Sequence, residues 1–254
     1  MDRGIDYYRN RFDFLSLDVK LKKAIAKNFA FEAGITGSYY TSDIENNDER
    51  FFSDFNASNP DENVFDDNIY AGVQAGLVYD TREIGFIPKK GLFWETSFQV
   101  QTRLDGTSRS YSKLSTEMVF YLNPGKGGLV IANRLGGGTT FGDPLFFQRM
   151  LLGGLNNLRG FRTNRFAGRS SAYYNLDLRL KLFDFTSYLV PGTIGLVGFN
   201  DVGRVWEPGE TSNTVHHGYG GGLYITPGEF ILLQGSVGFS KESTMGYLSI
   251  GFHF

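Results

Sequence analysis

The chain has 254 residues, and its 25 basic and 27 acidic side chains give a formal net charge of −2. A charge so close to zero excludes the strong basic footprint of most nucleic-acid-binding proteins, so no nucleic-acid partner is expected. The chain has no cysteine, which excludes disulfides, thiolate zinc sites and thiol nucleophiles.

The composition favours β-structure. The chain has 33 glycines, 24 phenylalanines and 14 tyrosines but only 7 prolines, a mixture typical of many strands joined by glycine-tolerant turns. The sequence contains no run of about 18 apolar residues, so it predicts no transmembrane helix.

Apolar residues alternate with polar residues or glycine from residue 12 to the C-terminus, and this pattern predicts eleven strands. The sharpest alternation sets Leu176, Leu178 and Leu180 against Asn175 and Asp177 on the opposite face. The segment near residues 129–140 is the least regular. The predicted strands cover residues 15–21, 29–39, 69–80, 94–101, 113–122, 129–140, 173–182, 193–206, 215–225, 230–240 and 245–254.

The connections between these strands are alternately long and short. The connections 43–68 and 143–169 are long, whereas 22–28 and 123–127 are short. Outer-membrane barrels show this arrangement, with short periplasmic turns at one end and longer loops at the other. A soluble β-sandwich has no reason to sort its loops in this way. We therefore predict an all-β fold, a transmembrane antiparallel β-barrel that forms a single domain over residues 1–254.

The predicted strand number follows from parity. Single-chain bacterial barrels normally have an even number of strands, so eleven visible strands leave one to be assigned. Residues 1–9, which include Ile5, Tyr7 and Tyr8, are predicted to form a short first strand before a turn at Asn10 and Arg11. The prediction is thus a barrel of 12 strands, and the alternative is a fragment of a 16-stranded barrel.

The connection 143–169 is longer than the closure of two neighbouring strands requires, and loops of this length are usually functional or disordered. Gly153, Gly154 and Gly160 permit a tight fold, and Phe161 supplies an apolar anchor. We therefore predict that residues 143–169, the lumen loop, fold into the barrel.

Arg159 in the lumen loop is predicted to pair with carboxylates of the barrel wall. Asp177 and Asp201 fall on the lumen-facing rows of the next two strands, and a guanidinium suits a forked pairing with carboxylates. We expect Arg159 to pair with Asp201, with Asp177 or Tyr173 nearby, while Gly203 makes room. The residues of this predicted lock are Arg159, Gly160, Phe161, Tyr173, Asp177, Phe199, Asp201 and Gly203.

Three motifs carry a family resemblance. The stretch Leu151–Arg162 (LLGGLNNLRGFR) resembles the arginine-glycine-phenylalanine loop of the BamA/TamA (outer membrane protein 85) superfamily, the bacterial surface-antigen barrels. Gly198–Trp206 (GFNDVGRVW) matches the family's Phe-x-Asp-x-Gly strand, and Tyr79–Glu83 is similar to its usual periplasmic turn. In the family five strands follow the loop and end in an aromatic residue, and five predicted strands here end in Phe254.

The resemblance implies a barrel of the bacterial cell outer membrane that assists protein insertion into that membrane or translocation across it. It implies outer-membrane lipids and lipopolysaccharide as surroundings and a client or partner polypeptide. It implies no cofactor and no enzymatic chemistry. Family members that insert or secrete proteins carry periplasmic repeat domains before the barrel, and no such repeats are visible here, so a barrel without them is predicted.

The resemblance also implies a C-terminal insertion signal. Its residues in this sequence are Tyr247, Ile250, Phe252 and Phe254. Ser249 departs from the glycine that is usual at its position.

A second hypothesis is a structural membrane anchor or a narrow pore, plugged by the lumen loop, for a separate partner protein. A lipid-facing hydrolase is disfavoured, because His217 and Asn200 point outward without a serine beside them. His216 and His217 alternate to opposite faces of a strand, so no metal site is predicted there.

Two further segments have simple interpretations. The acidic loop, residues 43–68, holds nine carboxylates and one arginine, but their spacing fits no calcium motif, so a solvated loop is expected. The glycines of Gly218–Gly222 are expected to mark a lumen-facing bend or a close approach of the lumen loop.

Overall fold

The computed structural model describes residues 7, 10–62, 64–83, 87–104, 109–125, 128–186, 190–228 and 231–251. This part of the chain forms one antiparallel sheet of eleven strands, a two-stranded hairpin and one short helix. In this part, no helix is both long enough and apolar enough to cross a membrane. The elements are β1 (Asp13–Ala26), β2 (Phe29–Thr41), α1 (Phe51–Ser58), β3 (Asn68–Asp80), β4 (Gly91–Arg103), β5 (Ser110–Leu122), β6 (Leu129–Gly142), β7 (Met150–Leu152), β8 (Phe166–Gly168), β9 (Ser170–Phe185), β10 (Gly192–Trp206), β11 (His216–Pro227), β12 (Leu233–Phe239) and β13 (Thr244–Ile250).

The eleven strands predicted from alternation are confirmed. Each corresponds to one strand of the large sheet, including β6, where the sequence pattern is least regular. Strands pair in chain order, except that β6 pairs with β9 because β7 and β8 form a separate hairpin within the lumen loop. The two longest connections, residues 42–67 and 143–169, lie at one end of the sheet, here called the long-loop end, and the opposite end, which carries the β1–β2 turn, is called the short-turn end.

Strand β1 is longer than predicted. It continues to Ala26, with a register shift near its end, so the connection to β2 is only residues 27–28 rather than 22–28. Lys23 interrupts the apolar row of β1, whereas Lys22 continues the polar row, and its ammonium lies 3.3 Å from Glu32 on the concave face of the sheet. Asn28 has a φ of 63°, the left-handed conformation that asparagine tolerates in tight turns.

The twelfth strand was predicted at residues 1–9, and all of these except Tyr7 lie outside the described residues. Tyr7 lies in a 3-10 turn, and its hydroxyl donates to the carboxylate of Asp54 at 2.8 Å. Tyr7 therefore contacts the acidic loop at the long-loop end. Within the described residues, β1 pairs only with β2 and β13 only with β12.

The sheet curls so that its two faces differ in environment. Alternate residues on the convex face are exposed, as shown by Leu17 at 67% and Val73 at 61%. On the concave face, the amide of Gln74 in β3 donates to Asp18 in β1 at 2.8 Å. That contact passes over β2, because strong curvature brings lumen-facing side chains together. The apolar face therefore points outward and the polar face inward, the distribution of a membrane barrel.

The acidic loop is folded, although its carboxylate residues are mostly exposed, as expected for a solvated loop. It makes up nearly all of the connection between β2 and β3, which runs from residue 42 to residue 67 and contains α1. Phe52 and Val64 are buried, and so is Asn47. Asn47 accepts a hydrogen bond from the Arg11 amide and donates to the Arg11 carbonyl, each at 2.8 Å. The loop therefore forms an ordered cover over the long-loop end of β1–β3.

Candidate functional site

The lumen loop folds back tightly at its tip. Gly153, Gly154 and Gly160 have φ values of 128°, 81° and 91°, a region that favours glycine because it has no Cβ. The side chain of Asn157 accepts from the Gly153 amide at 2.8 Å and donates to the Leu151 carbonyl at 3.0 Å. These local bonds fix the turn that presents Arg159.

Arg159 makes the central contact between the loop and the barrel wall. Its Nε donates to Oδ2 of Asp201 and its Nη2 to Oδ1, both at 2.7 Å. The same Nη2 donates to Oδ1 of Asp177 at 2.7 Å. The backbone amide of Arg159 also donates to Asp201 at 2.9 Å. The two carboxylates therefore come from adjacent strands, β9 and β10, and hold one guanidinium in a forked arrangement.

The charges of this cluster balance. Nη2 of Arg179 lies 3.5 Å from Oδ2 of Asp177, so two arginines accompany two aspartates. The side chains of Arg159, Asp177 and Asp201 are only 3%, 2% and 0% exposed. Because unpaired buried charges are costly, this neutral arrangement is what makes the burial of four ionised groups tolerable.

The surroundings of Arg159 keep it protonated. Burial alone would lower the pKa of its guanidinium, but the hydrogen bond to Asp201 and the negative charges of Asp177 and Asp201 raise that pKa above its ordinary value. The ring of Phe199 also lies 3.9 Å from the guanidinium carbon, a cation–π geometry that favours the charged form.

Gly160 joins the loop to the last two strands. Its amide donates to the Tyr247 hydroxyl at 2.8 Å. Its carbonyl accepts from the hydroxyls of Ser240 at 2.7 Å and Ser243 at 2.8 Å. A Cβ at position 160 would lie 2.5 Å from the Phe239 carbonyl oxygen. Glycine is therefore required here both by its conformation and by the close approach of β12.

The glycine-rich strand β11 receives the loop backbone. A Cβ at Gly218 would lie only 1.8 Å from the carbonyl oxygen of Arg159, so this glycine marks a close approach of the folded-in loop. Gly203 has a different neighbour from the one expected. A Cβ there would lie 3.1 Å from Leu152 and 3.6 Å from Leu158, so Gly203 makes room for the leucines of the loop rather than for Arg159.

Phe161 belongs to a small apolar core between the loop and the wall. Phe161, Leu152 and Leu158 are 2%, 0% and 0% exposed and pack together. Tyr173 packs against this core, and its hydroxyl donates to Glu117 at 2.9 Å. Of the two neighbours expected for Arg159, Asp177 pairs with it, whereas the Tyr173 hydroxyl points to a carboxylate of β5 that sequence reasoning did not pair with it.

The C-terminal residues divide into two groups. Tyr247, assigned above to the insertion signal, contacts the lumen loop through Gly160. Ile250 is 83% exposed, on the convex face. Phe252 and Phe254 lie outside the described residues.

Several residues that hold the loop were not found from sequence. Arg134 in β6 donates to the Asn156 carbonyl and to Glu117, and Asn175 in β9 donates to the Asn157 carbonyl at 2.8 Å. The sequence pattern of β6 gave no signal for the role of Arg134. The polar alternation of β9 was the available signal for Asn175.

The histidines take separate positions. The ring of His216 stacks on Phe166 with centroids 3.5 Å apart, whereas Nε2 of His217 lies 2.8 Å from Nδ2 of Asn200. Among the described residues, no group of three or more metal-ligating side chains converges.

The comparisons with known proteins agree with this geometry. The model of the Omp85 superfamily domain matches residues 5–254. The chain belongs to the Omp85 superfamily. Among solved structures, the crystal structure of BamA from Haemophilus ducreyi lacking POTRA domains 1-3 is similar, with a TM-score of 0.66 and 16% sequence identity. The alignment covers 95% of this chain but 55% of the BamA chain. A search of curated proteins found no significant match.

These findings identify the fold as an Omp85-like outer-membrane β-barrel. At 16% identity, the likeness to BamA carries the fold alone. The lock residues described above rest on the contacts of this chain.

Proposed function

We propose that this Omp85 barrel lies in the bacterial outer membrane, with its long-loop end outside, and assists insertion or translocation of client polypeptides. One observation carries the proposal: within an Omp85 barrel, a long loop enters the lumen and is held there by a buried arginine on two aspartates. No covalent step and no cofactor are part of the proposed mechanism, so the protein would not be an enzyme.

The proposed mechanism uses the two edge strands. Within the described residues, β1 pairs only with β2 and β13 only with β12, so their outer edges would offer backbone donors and acceptors to an incoming strand. The surrounding outer-membrane lipid and lipopolysaccharide would meet the apolar convex face. In this mechanism, the role of the lumen loop is to keep the wall in one arrangement while a client strand is added. Arg159 would set that arrangement through Asp177 and Asp201.

The experiment is client assembly in proteoliposomes that contain the purified barrel. Arg159→Gln should abolish most of the acceleration of client insertion seen with the wild type. Arg165→Gln is the matched control, because Arg165 lies in the same loop but is 47% exposed and pairs with Glu242 at the surface. Equal activity of both variants, or no acceleration by the wild type, would reject the proposal.

A second candidate is a structural anchor or plugged pore for a separate partner. The apolar contacts of Leu152, Leu158 and Phe161 with the wall favour it, because a loop packed in this way would occupy space inside the barrel. Single-channel conductance distinguishes the two proposals. A barrel that is closed as wild type, opens when residues 143–169 are deleted and never accelerates client insertion is a plugged pore.

A further inference from the structure

The lumen loop contacts both edges of the large sheet. At the β13 edge, the Gly160 amide donates to Tyr247 at 2.8 Å. At the β1 edge, the ring of Phe147 lies 6.2 Å from the ring of Phe14. Phe147 and Gly160 are thirteen residues apart in the chain. One short stretch of chain therefore crosses the concave side of an eleven-stranded sheet.

The contact at the β1 edge is an aromatic cluster. Phe147 stacks on Tyr40 of β2, with centroids 4.3 Å apart and planes inclined by only 2°. Phe146 meets Tyr40 edge to face at 5.6 Å and Phe52 of α1 at 5.1 Å. Tyr40 is fully buried, and its hydroxyl donates to the Val64 carbonyl at 3.0 Å. The acidic loop thus packs against Phe146, while Phe147 stacks on β2.

Polar contacts reinforce the same segment. A carboxylate oxygen of Glu62 accepts from the Phe146 amide at 3.2 Å. The guanidinium of Arg149 lies 3.7 Å from Glu62 in the acidic loop and 3.2 Å from Glu207 after β10. Leu145, also in this segment, is fully buried against Tyr70 and Tyr111. The start of the lumen loop therefore has its own polar and apolar contacts with the barrel and the acidic loop.

We propose that Phe146 and Phe147 form a second anchor of the lumen loop, and that the loop acts as a strut that sets the distance between β1 and β13. Within the described residues these two strands share no backbone ladder. Contacts of the loop reach both edges of the sheet, through Phe14 and Tyr40 at one edge and through Gly160 and Tyr247 at the other. Phe147 is a positioning residue in this scheme, since it acts through the loop.

The inference deepens the proposed function, because an incoming strand would need the edges to separate. Loss of either anchor would be enough to let the two edges separate. Loss of the aromatic anchor frees the β1 edge, and loss of the Arg159 anchor frees the β13 edge. Because the two anchors act in series on one strut, the effects of releasing both should not add.

The experiment measures the distance between the two edges by spin-label dipolar spectroscopy. The chain has no cysteine, so Leu17→Cys in β1 and Leu248→Cys in β13 provide a unique label pair. Both positions are on the convex face and are 67% and 91% exposed. The labelled full chain is reconstituted in lipid nanodiscs, with no client present.

Phe147→Ala should lengthen or broaden the distance distribution by roughly one strand spacing, about 5 Å. Phe147→Tyr should keep the wild-type distance distribution, since a tyrosine ring can stack in the same place. Phe98→Ala is the matched control, because Phe98 is a 43% exposed residue on the convex face of β4. The double variant of Phe147→Ala with Arg159→Gln should match the larger single effect rather than the sum.

A third variant keeps every anchor side chain. Four Gly/Ser residues inserted after Arg149 lengthen the strut between its anchors and should broaden the distribution as Phe147→Ala does. Unchanged distances in folded Phe147→Ala and insertion variants would overturn the inference. Failure of both to fold would also count against it, since a loosened but folded sheet is expected.

The result is independent of client assembly. If the distances respond to Phe147→Ala while the wild type never accelerates client insertion, the strut stands and the proposed function fails. If client insertion depends on Arg159 while the label distances do not change in Phe147→Ala, the strut hypothesis fails and the proposed function stands.

Discussion

At the scale of single residues, the stability cost of removing Arg159 depends on the buried carboxylates that would lose their partner. Arg159 satisfies two aspartates that are at most 2% exposed. Stranding buried carboxylates costs far more than losing a surface ion pair, because water cannot solvate them. The contribution of a loop arginine to stability therefore depends on whether its carboxylate partner is buried.

Arg159→Ala should lower the free energy of unfolding by about 3–5 kcal/mol. Arg165→Ala should lower it by about 1 kcal/mol or less, because its partner Glu242 is 40% exposed and remains solvated. Urea unfolding of both variants in detergent micelles measures the difference. Equal losses would mean that the buried cluster does not hold the loop.

Gly218→Ala should dislodge the loop tip. The new methyl carbon would lie 1.8 Å from the Arg159 carbonyl oxygen, and such overpacking typically costs about 1–3 kcal/mol. Gly198→Ala is the matched control, since no atom lies within 4 Å of a Cβ there. Limited proteolysis of the lumen loop should be faster in the first variant and unchanged in the second. Similar proteolysis of the two would contradict the close approach.

At the scale of elements, strands were predictable and the folded loops were not. Period-two alternation marks a strand because one face meets lipid and the other the lumen, and this local signal located all eleven strands. The same alternation placed Asp177 and Asp201 on the lumen face, which made their pairing with Arg159 a prediction. The partner of Tyr173 could not be found in this way, because Glu117 is 56 residues away in the chain.

The acidic loop shows what composition alone could not predict. Nine carboxylates in residues 43–68 indicated a solvated loop. Its aromatic residues, however, pack against Phe146, which lies 94 residues after Phe52 in the chain. No local pattern reports a contact of that sequence separation, so the fold of this element required the structure.

Asn47→Ala should loosen the acidic loop. Its fully buried amide also donates to the Ser42 hydroxyl at 3.1 Å and the Asp43 carbonyl at 2.9 Å, and groups left unsatisfied cost about 1–3 kcal/mol. Hydrogen exchange over residues 42–62 should accelerate. The neighbouring Asn46→Ala, which loses one exposed bond to Asp43, should leave exchange near the wild-type rate. The assignment of Asn47 as the centre of the loop would be wrong if the two variants exchanged alike.

At the scale of the whole molecule, the lumen loop connects regions that the sheet keeps apart. Side chains of several strands contact the loop, with β9, β10 and β13 all contributing polar partners. This convergence is possible because the wall curves around the loop. The lumen loop is therefore an integral part of the folded barrel.

The central claim is that the lumen loop lies inside the barrel and is held there by Arg159. The most direct measurement is the labelling rate of single cysteines by a membrane-impermeant maleimide in reconstituted membranes. Leu158→Cys, at a fully buried position, should be protected, whereas Arg162→Cys, at an exposed one, should label rapidly. Adding Arg159→Ala should raise the rate at position 158 towards that at 162. Rapid labelling at position 158 while Arg159 is present would contradict the account.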